Sequence, residues 1–268
     1  MVRPVFYKWL LPTAMEWAII VALFMAGYWL NSPIAWFAVT VVLGSRQHAL
    51  AVLGHEGAHY LISRNRWLND SAAELLCFWP LGVGIGGYRE HHFRHHRLIG
   101  TPDDAEWIDR DDWQWTLPKS RSQIVGFFLG DIVGLGVPGV ARVLFAVAGG
   151  RRALDWFGPI LFLGGLVAAF VWSGLWLVPV VWFSALLTSF WAFFRLRIWT
   201  EHVGTSGTHR ISANWWQRWF IVPHNTWYHY EHHEQASVPF WALPLQRRHV
   251  SSRTFTIGEL FSLYGYLT

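Results

Sequence analysis

Residues 11–53 read LPTAMEWAIIVALFMAGYWLNSPIAWFAVTVVLGSRQHALAVL. A helix needs about 20 mostly apolar residues to cross a bilayer. Two such runs, Leu11–Leu30 and Ile34–Leu53, flank the uncharged turn NSP, so the stretch predicts a hairpin of spanning helices. The second run is more polar, and Arg46, Gln47 and His48 near its end are expected to mark its emergence into the headgroups. A second hairpin is predicted from Trp156–Trp172 and Leu175–Phe194 around SGLW. Both turns lack charge, whereas Arg3, Lys8, Arg64, Arg66, Arg151, Arg152, Arg195 and Arg197 lie at the opposite ends. Cytoplasmic loops are enriched in Lys and Arg, which predicts that those ends, with both termini, face the cytoplasm.

Composition supports the same class. Hydrophobic residues make up 53% of the 268 and charged residues 14%, against about 25% charged in soluble domains. Twenty tryptophans suit a membrane–water interface. The net charge of +4 fits the same charge bias, and no basic run with interleaved aromatics suggests nucleic-acid binding. Without a polar linker or low-complexity tract, residues 1–268 are expected to form one integral membrane domain. The N-terminal apolar stretch is long and precedes no clear small-residue cleavage site, so it reads as a retained helix rather than a signal peptide. The expected fold class is all-α integral membrane, with about four transmembrane helices in two hairpins, interfacial helices and a cytoplasmic histidine-rich cap.

Two further stretches are apolar but interrupted. AAELLCFWPLGVGIGGY holds Pro80 and several glycines and reads as re-entrant or interfacial. Ser122–Gly149 is long enough to cross, but Asp131, Pro138 and Arg142 interrupt it, and charge at bilayer depth is costly. If all histidine clusters share one side, the chain between them crosses an even number of times. The second hairpin supplies two crossings, so Ser122–Gly149 is expected to lie along the interface or dip and return.

The histidines form three clusters. In HEGAH, His55 and His59 are four apart and share one helical face. Alone, this is the H-E-x-x-H zinc-protease pattern with Glu56 as general base, and an intramembrane zinc protease is a competing reading. In HHFRHH, His92, His95 and His96 fall at i, i+3 and i+4; His92 is taken as the ligand and His91 as the runner-up. In YHYEHH, His229, His232 and His233 repeat the spacing. The single cysteine, Cys77, excludes a thiolate cluster, leaving histidine and oxygen ligands. A catalytic zinc takes about three protein ligands. The clusters offer too many for one such ion, and two ions with about four imidazoles each would use them all.

The order H-x-x-x-H, H-x-x-H-H, H-x-x-H-H around two hydrophobic hairpins resembles the membrane fatty acid desaturase superfamily, which also includes carotenoid ketolases and hydroxylases. The likeness runs from about His55 to Pro244. HFRHHRLIGTPDD resembles the second box and its acidic turn, and HNTWYHYEHH with VPFWALP resembles the third box and its tail. The resemblance implies a non-haem di-iron centre on the cytoplasmic side, ligated by His55, His59, His92, His95, His96, His229, His232 and His233. RIWTEHVG adds His202, in the place of an isolated histidine that often completes the family's set. Asn225 fits the family's third box and could orient a ligand or a water. His48, His209, His224 and His249 match no ligand position. Ligating imidazoles normally donate their second N–H to a carboxylate or carbonyl, and Glu56, Glu90, Asp103, Asp104, Glu201 and Glu231 lie beside the boxes.

The resemblance implies O2-dependent oxidation of a lipid C–H bond. Fatty-acyl or acyl-lipid desaturation comes first. Carotenoid ketolation or hydroxylation, and fatty-acid hydroxylation or decarboxylation, are the alternatives. Glu234 and Gln235 stand where an apolar residue often follows the third box, which leaves the substrate class open. No haem or flavin domain is read in the chain, so a separate ferredoxin, rubredoxin or cytochrome is expected to supply electrons. Arg94, Arg97, Arg247 and Arg248 could receive such an acidic partner.

Overall fold

The computed structural model describes residues 2–101, 103–104, 114–115, 119–148, 150–201, 208–247 and 254–263. The fold is an all-α membrane fold with four helical stretches long and apolar enough to span: Phe6–Leu30, Pro33–Ala58, Ala153–Trp172 and Leu177–Glu201. Helices α1 (Phe6–Leu30) and α2 (Pro33–Ala58) form the first hairpin. Asn31 closes α1 in the left-handed region, the Ser32 hydroxyl accepts from the Ala35 amide, and Pro33 opens α2. Proline suits a first helical position, where its missing N–H costs nothing.

Both helices outrun the apolar stretches that predicted them. α1 starts at Phe6 rather than Leu11, and Trp9, fully buried, donates its indole N–H to the Leu53 carbonyl at 2.9 Å. α2 ends at Ala58 rather than Leu53, so His55 lies on its last turn and His59 just beyond it. The expectation that Arg46, Gln47 and His48 emerge into headgroups is corrected, because all three are buried well inside α2. Arg46 pairs with Glu16 of α1, and Gln47 donates to the Trp182 carbonyl at 2.9 Å. A charge is retained at that depth because it meets its counter-charge inside the bundle rather than lipid.

The stretch after the first box is broken, as its Pro and Gly content predicted. It runs through α3 (Arg66–Ala73), a π-helical turn (Glu74–Phe78) and a 3-10 turn (Trp79–Leu81) into α4 (Ile85–Leu98), which carries the second box. The predicted interfacial or dipping segment is the pair α5 (Arg121–Ile132) and α6 (Val137–Val147), bent by 74°. Asp131 is not left facing lipid. It is buried and paired with Arg195 at 2.6 Å.

The second hairpin is α7 (Ala153–Trp172) with α8 (Leu177–Leu187) and α9 (Ser189–Glu201). The last span breaks at Thr188, where the Ser189 hydroxyl donates to the Thr40 carbonyl of α2 at 2.7 Å. Gly44 permits this crossing, since a Cβ there would collide with the backbone of Ser189 and Phe190. α2 is the central helix, packing on α1, α8 and α9. Leu43, Leu50, Leu53, Ile62, Phe78 and Ile85 fill the core around it. Past α9 the described residues form short elements: β1 (Arg210–Ser212), α10 (Trp215–Phe220), α11 (His229–Glu234), α12 (Leu243–Gln246), β2 (Thr254–Thr256) and α13 (Ile257–Leu263). β1 and β2 pair in parallel, a small departure from an all-helical expectation.

Candidate metal centre

Three elements deliver the histidines to one place, at the ends of the spans opposite both hairpin turns. The last turn of α2 brings His55, with His59 beside it; α4 brings His92, His95 and His96; α11 brings His229, His232 and His233. Their ring nitrogens gather into two groups, His55, His59, His92, His96 and His232 in one and His95, His229 and His233 in the other, each within 4.8 Å. Thus eight predicted ligands converge among the described residues. Two boxes divide between the groups: the i, i+4 pairs His92/His96 and His229/His233 stay together, while His95 and His232 cross over. Among the described residues the groups hold five and three, against the expected about four each. His202 lies outside the described residues.

The nitrogens are close. His92 Nε2 stands 2.8 Å from His55 Nε2, 2.9 Å from His59 Nε2 and 3.0 Å from His96 Nε2. His96 Nε2 is 3.1 Å from His232 Nε2, and His233 Nε2 is 3.1 Å from His229 Nε2. A neutral imidazole carries only one N–H, so His92 Nε2 cannot donate to three neighbours. Converging lone pairs of this kind fit a shared cation. Two imidazole nitrogens about 2.1 Å from one ion and at right angles to each other would lie about 3.0 Å apart. Burial first, then the adjacent His59, His96 and His92, hold the pKa of His232 well below the ordinary histidine value. The neutral form is the one that ligates.

Carboxylates support the rings unequally. Asp104 Oδ1 lies 2.7 Å from His95 Nδ1, both buried, so the Asp fixes which nitrogen of His95 is presented. Glu201 Oε1 is 3.6 Å from His229 Nδ1 and accepts from Arg197 Nε at 2.7 Å. Glu56 Oε1 is 4.0 Å from His55 Nδ1, while its Oε2 accepts the Phe240 amide at 3.0 Å. Glu231 is buried and held by Arg210 at 2.6 Å. Asn225 donates to the Phe240 carbonyl at 3.0 Å, a link within the third-box segment. Glu90 faces Arg151 at 3.7 Å and Asp103 is exposed; neither is shown reaching a ring. His48, His209 and His224 belong to neither group, and His249 lies outside the described residues.

Several residues that brace the centre were not singled out from sequence. Arg89 of α4 donates to the Gly57 and Ala58 carbonyls at the end of α2, at 2.9 and 3.0 Å, and meets Asp70 at 2.6 Å. Asp155 Oδ1 accepts the Gly86 amide at 3.0 Å, anchoring the start of α4 to α7, and no Cβ fits at Gly86 beside that carboxylate. Glu16 had a usable signal, as a charge inside an otherwise apolar span marks a partnered interior.

A cavity of 310 Å³ abuts the centre, within the usual range for small-molecule sites. His55, His92, His229, Arg142 and Arg197 are among its polar lining, and Phe78, Leu81 and Val143 are among its more numerous apolar residues. His91 lines this cavity and is in neither nitrogen group. A smaller pocket of 20 Å³, between Glu56, Asn225, His55, His229 and His232, has room for about one water.

A sequence model described as fatty acid desaturase matches residues 30–255. An 88-residue stretch is 36% identical to the sn-1 acyl-lipid omega-3 desaturase (ferredoxin) of Nostoc sp. (strain 36), covering 32% of this chain and 23% of that protein. A 95-residue stretch is 33% identical to the sn-1 oleoyl-lipid 12-desaturase of Arthrospira platensis, covering 33% and 27% of the respective chains.

Proposed function

The chain belongs to the fatty acid desaturase family, and on that premise we propose that it is a di-iron oxidoreductase that desaturates a fatty-acyl chain of a membrane lipid. The observation that carries this reading is the pair of imidazole groups set against a cavity with apolar walls. Zinc-protease chemistry is less well supported. It needs about three ligands and a free general base, whereas His55 and His59 sit among five imidazoles and Glu56 is engaged by the Phe240 amide.

The proposed ligands are the nine histidines named from sequence. For His202 the support is its neighbour: Glu201 ends α9 beside His229 of the smaller group. Two bound irons with O2 would supply the oxidising power to take hydrogen from an unactivated C–H bond. The side chains do the rest. The imidazoles bind, Asp104 orients His95, and the cavity wall holds the acyl chain and excludes water. The overall change is –CH2–CH2– + O2 + 2e⁻ + 2H⁺ → –CH=CH– + 2H2O.

The electrons are proposed to come from a separate ferredoxin, rubredoxin or cytochrome; the name of the Nostoc relative includes ferredoxin. Arg94 and Arg97 are exposed on α4 and suit an acidic donor, while Arg248 lies outside the described residues. Residues 1–268 are proposed to act as one unit with the centre on the cytoplasmic side.

Expression in a host followed by lipid extraction and mass spectrometry tests the reading. Loss of two hydrogens from an acyl chain is expected, dependent on O2 and abolished by His232→Ala. A gain of oxygen instead would favour the hydroxylase reading, and a modified carotenoid the ketolase reading. One zinc, no iron and peptide cleavage would favour the protease reading instead.

A further inference from the structure

A cluster far from the boxes in sequence reaches the third box in space. Glu16 of α1 and Arg46 of α2 are each 1% exposed. Arg46 Nη1 contacts both Glu16 oxygens at 3.2 Å. The same guanidinium donates to the Trp219 carbonyl and lies 3.9 Å from the Trp219 ring centroid. Glu16 Oε1 also accepts from His224 Nε2 at 2.9 Å. Trp219 lies in the last turn of α10, and His224 opens the third-box segment four residues after α10 ends. His224 and its neighbour Asn225 both hold positive φ, 50° and 65°. Non-glycine residues adopt that conformation at a cost and keep it only where surrounding contacts enforce it.

We propose that Glu16, Arg46 and His224 form a tether that positions the third histidine box against the helix carrying the first. The tether rests on the di-iron reading above. Its geometry is a two-point hold: α2 grips the segment through Arg46 at one level and through Glu56, which accepts the Phe240 amide, at another. Arg46 and Glu56 lie about 15 Å apart along the helix axis. The third box supplies His229 and His233 to the group of three and only His232 to the group of five. Slackening it therefore removes most of one site and a fifth of the other. These three are positioning residues, since none is among the nitrogen groups.

The experiment counts iron per chain in purified full-length protein and records thermal unfolding in the same detergent. His224→Ala leaves the buried Glu16–Arg46 pair intact. The double variant Glu16→Leu/Arg46→Met removes both charges together, so neither is stranded in the interior, a replacement proteins often tolerate. The tether predicts that each variant falls from two irons to about one, at an unfolding temperature close to that of the parent. A scaffold role alone would lower the unfolding temperature and both irons together, and that outcome overturns the proposal. So does retention of two irons in both variants. A parent protein that binds no iron would instead bring down the di-iron reading on which the tether rests.

Discussion

His92, His95 and His96 show why spacing gathers candidate ligands more readily than it assigns them to a group. Successive residues turn by about 100° around a helix, so His96 lies about 40° to one side of His92 and His95 about 60° to the other. The rings are one face to the eye and two directions to a metal, which is why His95 parts from its neighbours and why His232 does the same in α11. His92 joins a nitrogen group and His91 does not, as helical geometry suggests, because His92 lies about 40° from His96 around the helix and His91 about 140°. The partner of His95 was half legible: two adjacent aspartates followed the box, and only Asp104 turned inward. Asp104→Asn keeps the size and loses the charge that favours the His95 Nδ1–H. Metal titration should show affinity weakened by about 10–100-fold, the usual cost of losing such a partner. Unchanged affinity would mean that His95 needs no fixed tautomer.

At the scale of elements, the centre depends on the angle between α2 and α4, and Arg89 spans that junction. Its guanidinium fork meets two carbonyls of the α2 terminus and the Asp70 carboxylate at once. Orphan carbonyls at a helix end attract a cation, and here the cation comes from the helix that carries the second box. Nothing in the sequence marked Arg89, because one arginine beside a histidine box looks like any surface charge until its partners are known. Helix existence was legible from apolar run length, whereas helix ends were not. Glu56 is polar yet buried on the last turns of α2, so a reading of apolar run length stopped at Leu53, short of it. Arg89→Ala removes the Arg89 bonds to the Ala58 and Gly57 carbonyls and to Asp70, although Asn69 Nδ2 still donates to Gly57 and Asp70. The expected loss is about 2 kcal/mol of stability, the range for hydrogen bonds to charged groups, with lower iron occupancy. Arg89→Lys restores the charge but not the fork, so it should recover only part of both. Full recovery by lysine would show that charge alone sets the junction.

For the whole molecule, the four spans and the broken stretches between them were legible from length and composition, while the kink at Thr188 was not, because a bend leaves hydropathy unchanged. The proposed sidedness rests on a different asymmetry. Trp29, Trp172 and Trp176 are exposed around the two hairpin turns, and Trp67, Trp156 and Trp215 are exposed elsewhere along the chain, consistent with aromatic residues at both interfaces. Charge then distinguishes the two ends, since the turns carry none and the histidine end carries Arg94, Arg97, Arg151 and Arg152. The chain suits a direct test. Its one cysteine, Cys77, is fully buried, and burial pushes its thiol pKa up, so it should stay silent to thiol reagents. Ser32→Cys and Ser173→Cys place a thiol at each turn, the first at a cost of about 1 kcal/mol for the lost helix cap, and Arg94→Cys places one beside the second box. In intact cells a membrane-impermeant maleimide should label the two turn positions and spare position 94, which should react only after the membrane is opened. Labelling of position 94 in intact cells, or protection of either turn, would put the centre on the outer face, out of reach of a cytoplasmic electron donor.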